Sequence, residues 1–101
     1  IPVLKTMNTD YSTSAPHIYV IRVLNGKRDA LMQYLNKQEI ETSIHYIPNH
    51  LQPLYRDDKI HLPNTDKAFG EILTLPLHCA LSDEDVNQVI RSIQTFFQEG
   101  L

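Results

Sequence analysis

The sequence predicts an α+β fold, a small two-layer domain in which a roughly three-stranded sheet carries helices packed on one face. Three observations lead there. The apolar period switches between two residues and about 3.6, in the order strand, helix, strand, loop, strand, helix. The chain has 101 residues, room for one small domain. Its composition, 42% hydrophobic and 21% charged, is that of an ordinary globular domain.

The first strand is predicted over residues 17–24, rich in β-branched and aromatic side chains and ended by the turn pair Asn25-Gly26. Ile18, Val20 and Val23 are expected on one side and Tyr19, Ile21 and Leu24 on the other, so both faces read as covered. Residues 27–37 then take a helical period. Ala30, Leu31, Tyr34 and Leu35 form the apolar stripe, and Lys27, Arg28, Asp29, Gln33 and Lys37 the polar side. A second strand is predicted over residues 40–46, stopped by Pro48.

Residues 49–63 form a long irregular connection. His50, Leu51, Leu54 and Tyr55 make it too rich in large groups for a linker, so it reads as an ordered functional loop. A short helix over residues 65–71 and a third strand over residues 72–75 follow, the strand ending at Pro76. Ser82 and Asp85 form a capping-box start for the last helix. Asp83, Glu84 and Asp85 suit its positive end. Val86, Val89, Ile90, Ile93, Phe96 and Phe97 are expected as one core stripe, with Gly100 after the end.

The formal net charge is -3, which argues against nucleic acid and against an anionic membrane as partner. No apolar run reaches the ~18 residues of a membrane-spanning helix. The single cysteine, Cys79, cannot close an internal disulfide and points to a reducing, cytoplasmic setting. The chain opens Ile1-Pro2-Val3 without an initiator Met and continues through the polar stretch 8–14. Residues 1–14 therefore read as a linker entering from a longer protein, and residues 15–101 as the domain.

The five histidines lack metal-ligand spacing, and Cys79 has no CxxC partner, so no metal site is expected. Three scattered glycines cannot build a phosphate-cradling loop. Arg22, inside an apolar strand, is expected to pair with an acid or to snorkel from an edge. Polar chemistry gathers in residues 45–56, where His45, Tyr46, His50, Tyr55 and Arg56 sit on a proline-stiffened segment. Such a segment suits a polyhydroxylated ligand or another domain. His45 and Tyr46 read equally well as satisfied residues at a strand end.

The same segment resembles the sugar aminotransferases of the DegT/DnrJ/EryC1/StrS family. The match rests on His45-Tyr46-Ile47-Pro48, on His50-Leu51-Gln52-Pro53, and on Leu75-Pro76-Leu77-His78. The strand His17-Ile18-Tyr19-Val20-Ile21-Arg22-Val23 precedes them in the family's order, and the resemblance runs from about Ser14 to Phe97. It implies the C-terminal small domain of a fold-type I transferase, a domain that helps to close the active site. The whole enzyme would be a pyridoxal-phosphate-dependent homodimer that moves an amino group from glutamate or glutamine to a keto sugar nucleotide in polysaccharide or related biosynthesis.

By the same resemblance His45, Tyr46 and His50 line the site, and an upstream large domain of the same polypeptide supplies the cofactor-holding lysine. Lys5, Lys27, Lys37, Lys59 and Lys67 match no such motif. This chain alone is therefore expected to bind no cofactor, to contribute no catalytic residue and to be inactive. The alternative is a free-standing small-ligand or protein-binding module without catalysis.

Overall fold

The computed structural model describes residues 2–99. Its sheet has three antiparallel strands in the order β1 (Leu4–Thr6), β2 (Tyr19–Val23), β3 (Ile72–Leu75). Between and after them come α1 (Arg28–Lys37), α2 (Pro63–Glu71) and α3 (Asp83–Gln98). Register fixes which side chains share a face. Leu4 lies opposite Val23, Ile21 opposite Leu73, and Tyr19 opposite Leu75. These six residues face α1 and α3 and join the core formed with Leu31, Leu35, Ile93 and Phe96. Lys5, Val20, Arg22, Ile72 and Thr74 alternate onto the second face.

The α+β architecture is as expected, but the third strand is not the expected one. Residues 40–46 do not enter the sheet as a strand; they touch it through one bridge, Ser43 to Thr74. The cause lies at the end of α1. The Glu39 N–H bonds the Asn36 carbonyl at 3.1 Å and the Ile40 N–H bonds the Leu35 carbonyl at 2.9 Å, the pairing of a Schellman motif. Ile40 is thereby held against the helix end and buried in the core. Glu39 takes the left-handed position, φ 63°, that usually belongs to glycine.

The missing strand is supplied by β1, within the stretch expected as linker. Three residues are too few to carry a readable alternation. The Asn25-Gly26 turn is as expected, both residues having positive φ, 61° and 70°. Within β2 the alternation places Val23 with Ile21 and Tyr19 on the core side, not with Ile18 and Val20.

The helices cover the core face unevenly. Leu31 and Leu35 of α1 are completely shielded, but Ala30 is exposed and Arg28, expected on the polar side, is buried. In α3 the capping box forms. The Asp85 N–H donates to Ser82 Oγ at 3.1 Å, and the Ser82 N–H donates to Asp85 Oδ2 at 3.0 Å. That backbone N–H, then the Ser82 hydroxyl, holds the Asp85 carboxyl below the usual carboxylate range. Phe96 is the anchor, packed on Tyr34 at 5.6 Å and edge-on to Phe97 at 4.9 Å between ring centres. The stripe is shorter than expected, because Val86 and Ile90 in the first two turns stay exposed. Gly100 lies outside the described residues.

α2 runs into β3 with no loop between Glu71 and Ile72. Arg28 secures this junction. Its Nη1 donates to the Phe69 carbonyl at 2.7 Å and the Ile72 carbonyl at 2.9 Å, and its Nε donates to Asp29 at 2.6 Å. The guanidinium also lies 5.7 Å from the centre of the Phe69 ring. Removing it leaves two carbonyls without their donor and an unfilled gap. Arg28→Ala should therefore cost about 2–4 kcal/mol in denaturant unfolding. Arg28→Lys should recover less than half, since an ammonium cannot span both carbonyls in the plane of the fork. Equal stability of Arg28→Ala and the wild type would show that the junction holds without it.

Candidate functional site

The second face of the sheet is open. A groove of about 710 Å³ runs over it, floored by Ile18, Val20 and Ile72 and walled by Met7 and Tyr11 on one side and Lys67 and Ala68 of α2 on the other. This face stays open because the three helices are placed unequally. α1 and α3 pack on each other over the core face, while α2 packs chiefly on β2 and borders the groove. Tyr11 and Lys67 carry no motif signal; the tertiary fold brings them to one groove.

Arg22 enters the groove as the expected paired arginine. Its Nε donates to Glu71 at 2.8 Å, and the Glu71 carboxylate is mostly covered. The pair is thus internally neutral and ties β2 to the last residue of α2. Lys67 makes no ion pair among the described residues, so the groove presents an apolar floor with a cation at its wall.

His45 also lines this groove. Its Nδ1 lies 2.9 Å from the Thr74 hydroxyl, and its ring meets the Tyr46 ring edge-on at 4.7 Å. Tyr46 is 71% exposed, its ring held on one side by His45 and otherwise open. His50 lies apart. Pro48 opens a short 3-10 turn, Asn49–Leu51, that turns His50 inward. There its Nε2 lies 2.6 Å from Asp66 Oδ1 at the start of α2. The structure therefore brings His45 and Tyr46 together and uses His50 to fasten the connecting segment to a helix. That segment is a succession of hydrogen-bonded turns, with the Leu51, Gln52, Tyr55 and Ile60 N–H groups each donating to the carbonyl three residues back.

His17, His61 and His78 are exposed, as is Cys79. Among the described residues no group of three or more His, Cys, Asp or Glu is placed to hold a metal ion. No helix among them is long and apolar enough to cross a membrane.

The fold is thus an α+β domain with one sheet face packed and the other open, with His45 lining the open face, and comparison with known proteins gives its family. Residues 1–94 match the DegT/DnrJ/EryC1/StrS aminotransferase family, and the chain belongs to that family. It is 32% identical over 90 residues to the dTDP-3-amino-3,6-dideoxy-alpha-D-galactopyranose transaminase of Aneurinibacillus thermoaerophilus, covering 87% of this chain and 24% of that protein. The aminotransferase TlmJ from Streptoalloteichus hindustanus superposes with a TM-score of 0.88 at 31% identity, over 100% of this chain and 28% of TlmJ. Spr1654 from Streptococcus pneumoniae, described as a sugar aminotransferase and solved in its PLP form, gives 0.79 at 32% identity over 98% of this chain and 27% of that one. The chain thus spans about a quarter of the length of these relatives.

The described residues do not fit a site for covalently held pyridoxal phosphate. Lys5, Lys27, Lys37, Lys59 and Lys67 are all exposed, whereas an amine that takes up such a cofactor is desolvated or tuned by neighbouring charge.

The His50–Asp66 contact makes a specific demand on the connecting segment. Asp66 is half exposed, so Asp66→Ala should cost only about 1–2 kcal/mol globally. Its local effect should be larger. Amide exchange at Leu51 and Gln52 should accelerate while Leu73 in the core stays protected. Unchanged exchange at Leu51 would mean that the imidazole does not fasten the segment.

Proposed function

We propose that this chain is the C-terminal small domain of a pyridoxal-phosphate-dependent sugar aminotransferase. The reaction moves an amino group from glutamate or glutamine to a keto sugar nucleotide, and the domain helps to close the active site around it. The observation that carries this reading is the family match along nearly the whole chain, combined with a span of only a quarter of the relatives' length. An upstream large domain of the same polypeptide supplies the lysine that this chain does not offer, and the parent works in the cytoplasm as a homodimer. This chain alone is inactive.

The cofactor, when bound in the parent, supplies the electron sink for amino-group transfer. The residues of this chain contribute binding and orientation. His45 offers a ring nitrogen at the rim of the groove, Tyr46 offers a phenol beside it, and His50 holds the segment that carries both. An exposed tyrosine and a fixed imidazole suit the hydroxyls of a sugar, which need both donors and acceptors.

Two measurements test this reading. Borohydride trapping with pyridoxal phosphate, followed by peptide mapping, should mark one lysine of the full-length parent and none within these 101 residues. A stoichiometric adduct inside this chain would overturn the division of labour, and the lack of any specific adduct in the parent would favour a cofactor-free binding module. His45→Ala and Tyr46→Phe in the parent should each lower kcat/KM for the keto sugar nucleotide by about tenfold or more. Unchanged constants in both variants would remove these residues from the site.

A further inference from the structure

We propose that Thr74 is the positioning residue of His45. Its hydroxyl engages the imidazole through Nδ1, so that Nε2 is the ring nitrogen left to meet whatever occupies the groove on the second face. The consequence for catalysis rests on His45 being a site residue; the positioning itself does not.

Thr74 is anchored on both sides. It pairs with Val20 of β2 in register, and on its outer edge it exchanges two backbone bonds with Ser43, at 2.7 and 3.2 Å. The residue is 8% exposed, and a β-branched side chain on a fixed strand has little freedom at χ1. Its hydroxyl therefore sits at a set point on the second face, 2.9 Å from His45 Nδ1. Ser43 stands two residues before His45, so the bridge that fixes Ser43 also fixes where the His45 backbone departs. One residue thus controls both the approach of the chain and the orientation of the ring.

Valine has nearly the same shape as threonine and a high preference for strands, so Thr74→Val removes the hydroxyl with little change of outline. Among the described residues the hydroxyl's side-chain partner is the imidazole. A hydroxyl can donate to Nδ1 or accept from it, and either arrangement occupies that nitrogen. Orientation of one ring nitrogen by a hydrogen bond to the other is the usual way a protein aims an imidazole.

The test uses Thr74→Val and Thr74→Ser. In long-range ¹H–¹⁵N spectra of this chain, the His45 Nδ1 resonance should move in Thr74→Val and return to the wild-type position in Thr74→Ser, with the backbone amide spectrum showing each variant folded. Coincident His45 ring resonances in the wild type and Thr74→Val would overturn the proposal. In the full-length parent, kcat/KM for the keto sugar nucleotide should fall about tenfold in Thr74→Val and stay within about twofold of wild type in Thr74→Ser. A displaced ring resonance with unchanged kcat/KM would uphold the positioning and overturn the place of His45 in the site.

Discussion

The fold depends on a guanidinium clamped over the point where α2 becomes β3. A helix that passes directly into a strand leaves its last carbonyls with no loop in which to find donors. Arg28, reaching from the first turn of α1, fills that need at Phe69 and Ile72. Because α1 follows β2 closely, the same contact sets where β3 starts along β2. Start point sets register, and register decides which side chains of β3 enter the core. A shift of one residue would exchange Leu73 and Leu75 for Ile72 and Thr74. Arg22 reinforces the junction from the other face through Glu71. Two arginines thus hold this one junction, through Glu71 and through the Phe69 and Ile72 carbonyls.

The packed face holds Val23, Leu31, Leu35 and Leu73, all fully shielded, and little else would change if their shapes were kept. The open face carries His45 and Lys67, with the exposed Tyr46 ring set against His45, on a scaffold whose core lies on the packed face. The groove belongs to no single motif. It arises because α2 borders the open face while α1 and α3 lie over the core.

The elements with strong local grammar were legible in the sequence: the β2 run, the Asn25-Gly26 turn, α1, α2, β3 and the capped start of α3. What stayed hidden depended on contacts distant in sequence. Residues 40–46 have the β-branched composition of a strand, but Ile40 is taken by the Schellman motif of α1, which a glutamate at the left-handed position disguises. β1 is too short to announce itself. Val86 and Ile90 stay exposed although the apolar period of the helix runs on through them unchanged. At the site, His45, Tyr46 and His50 stood out as polar groups on a stiff segment. Their different duties did not, because Asp66 and Thr74 lie 16 and 29 residues away from their partners.

The short strand β1 also bears on how copies of the molecule can meet. An exposed strand edge is a template for adding another strand, the first step of aggregation and fibril growth. Here one outer edge offers three residues, with the exposed cation of Lys5 at its centre, and the opposite edge is interrupted by Ser43 bound across Thr74. Neither edge is long enough to nucleate a continuous ladder. Association of this domain with any neighbour is thereby steered away from backbone zippering and toward side-chain surfaces, where shape and charge select the partner.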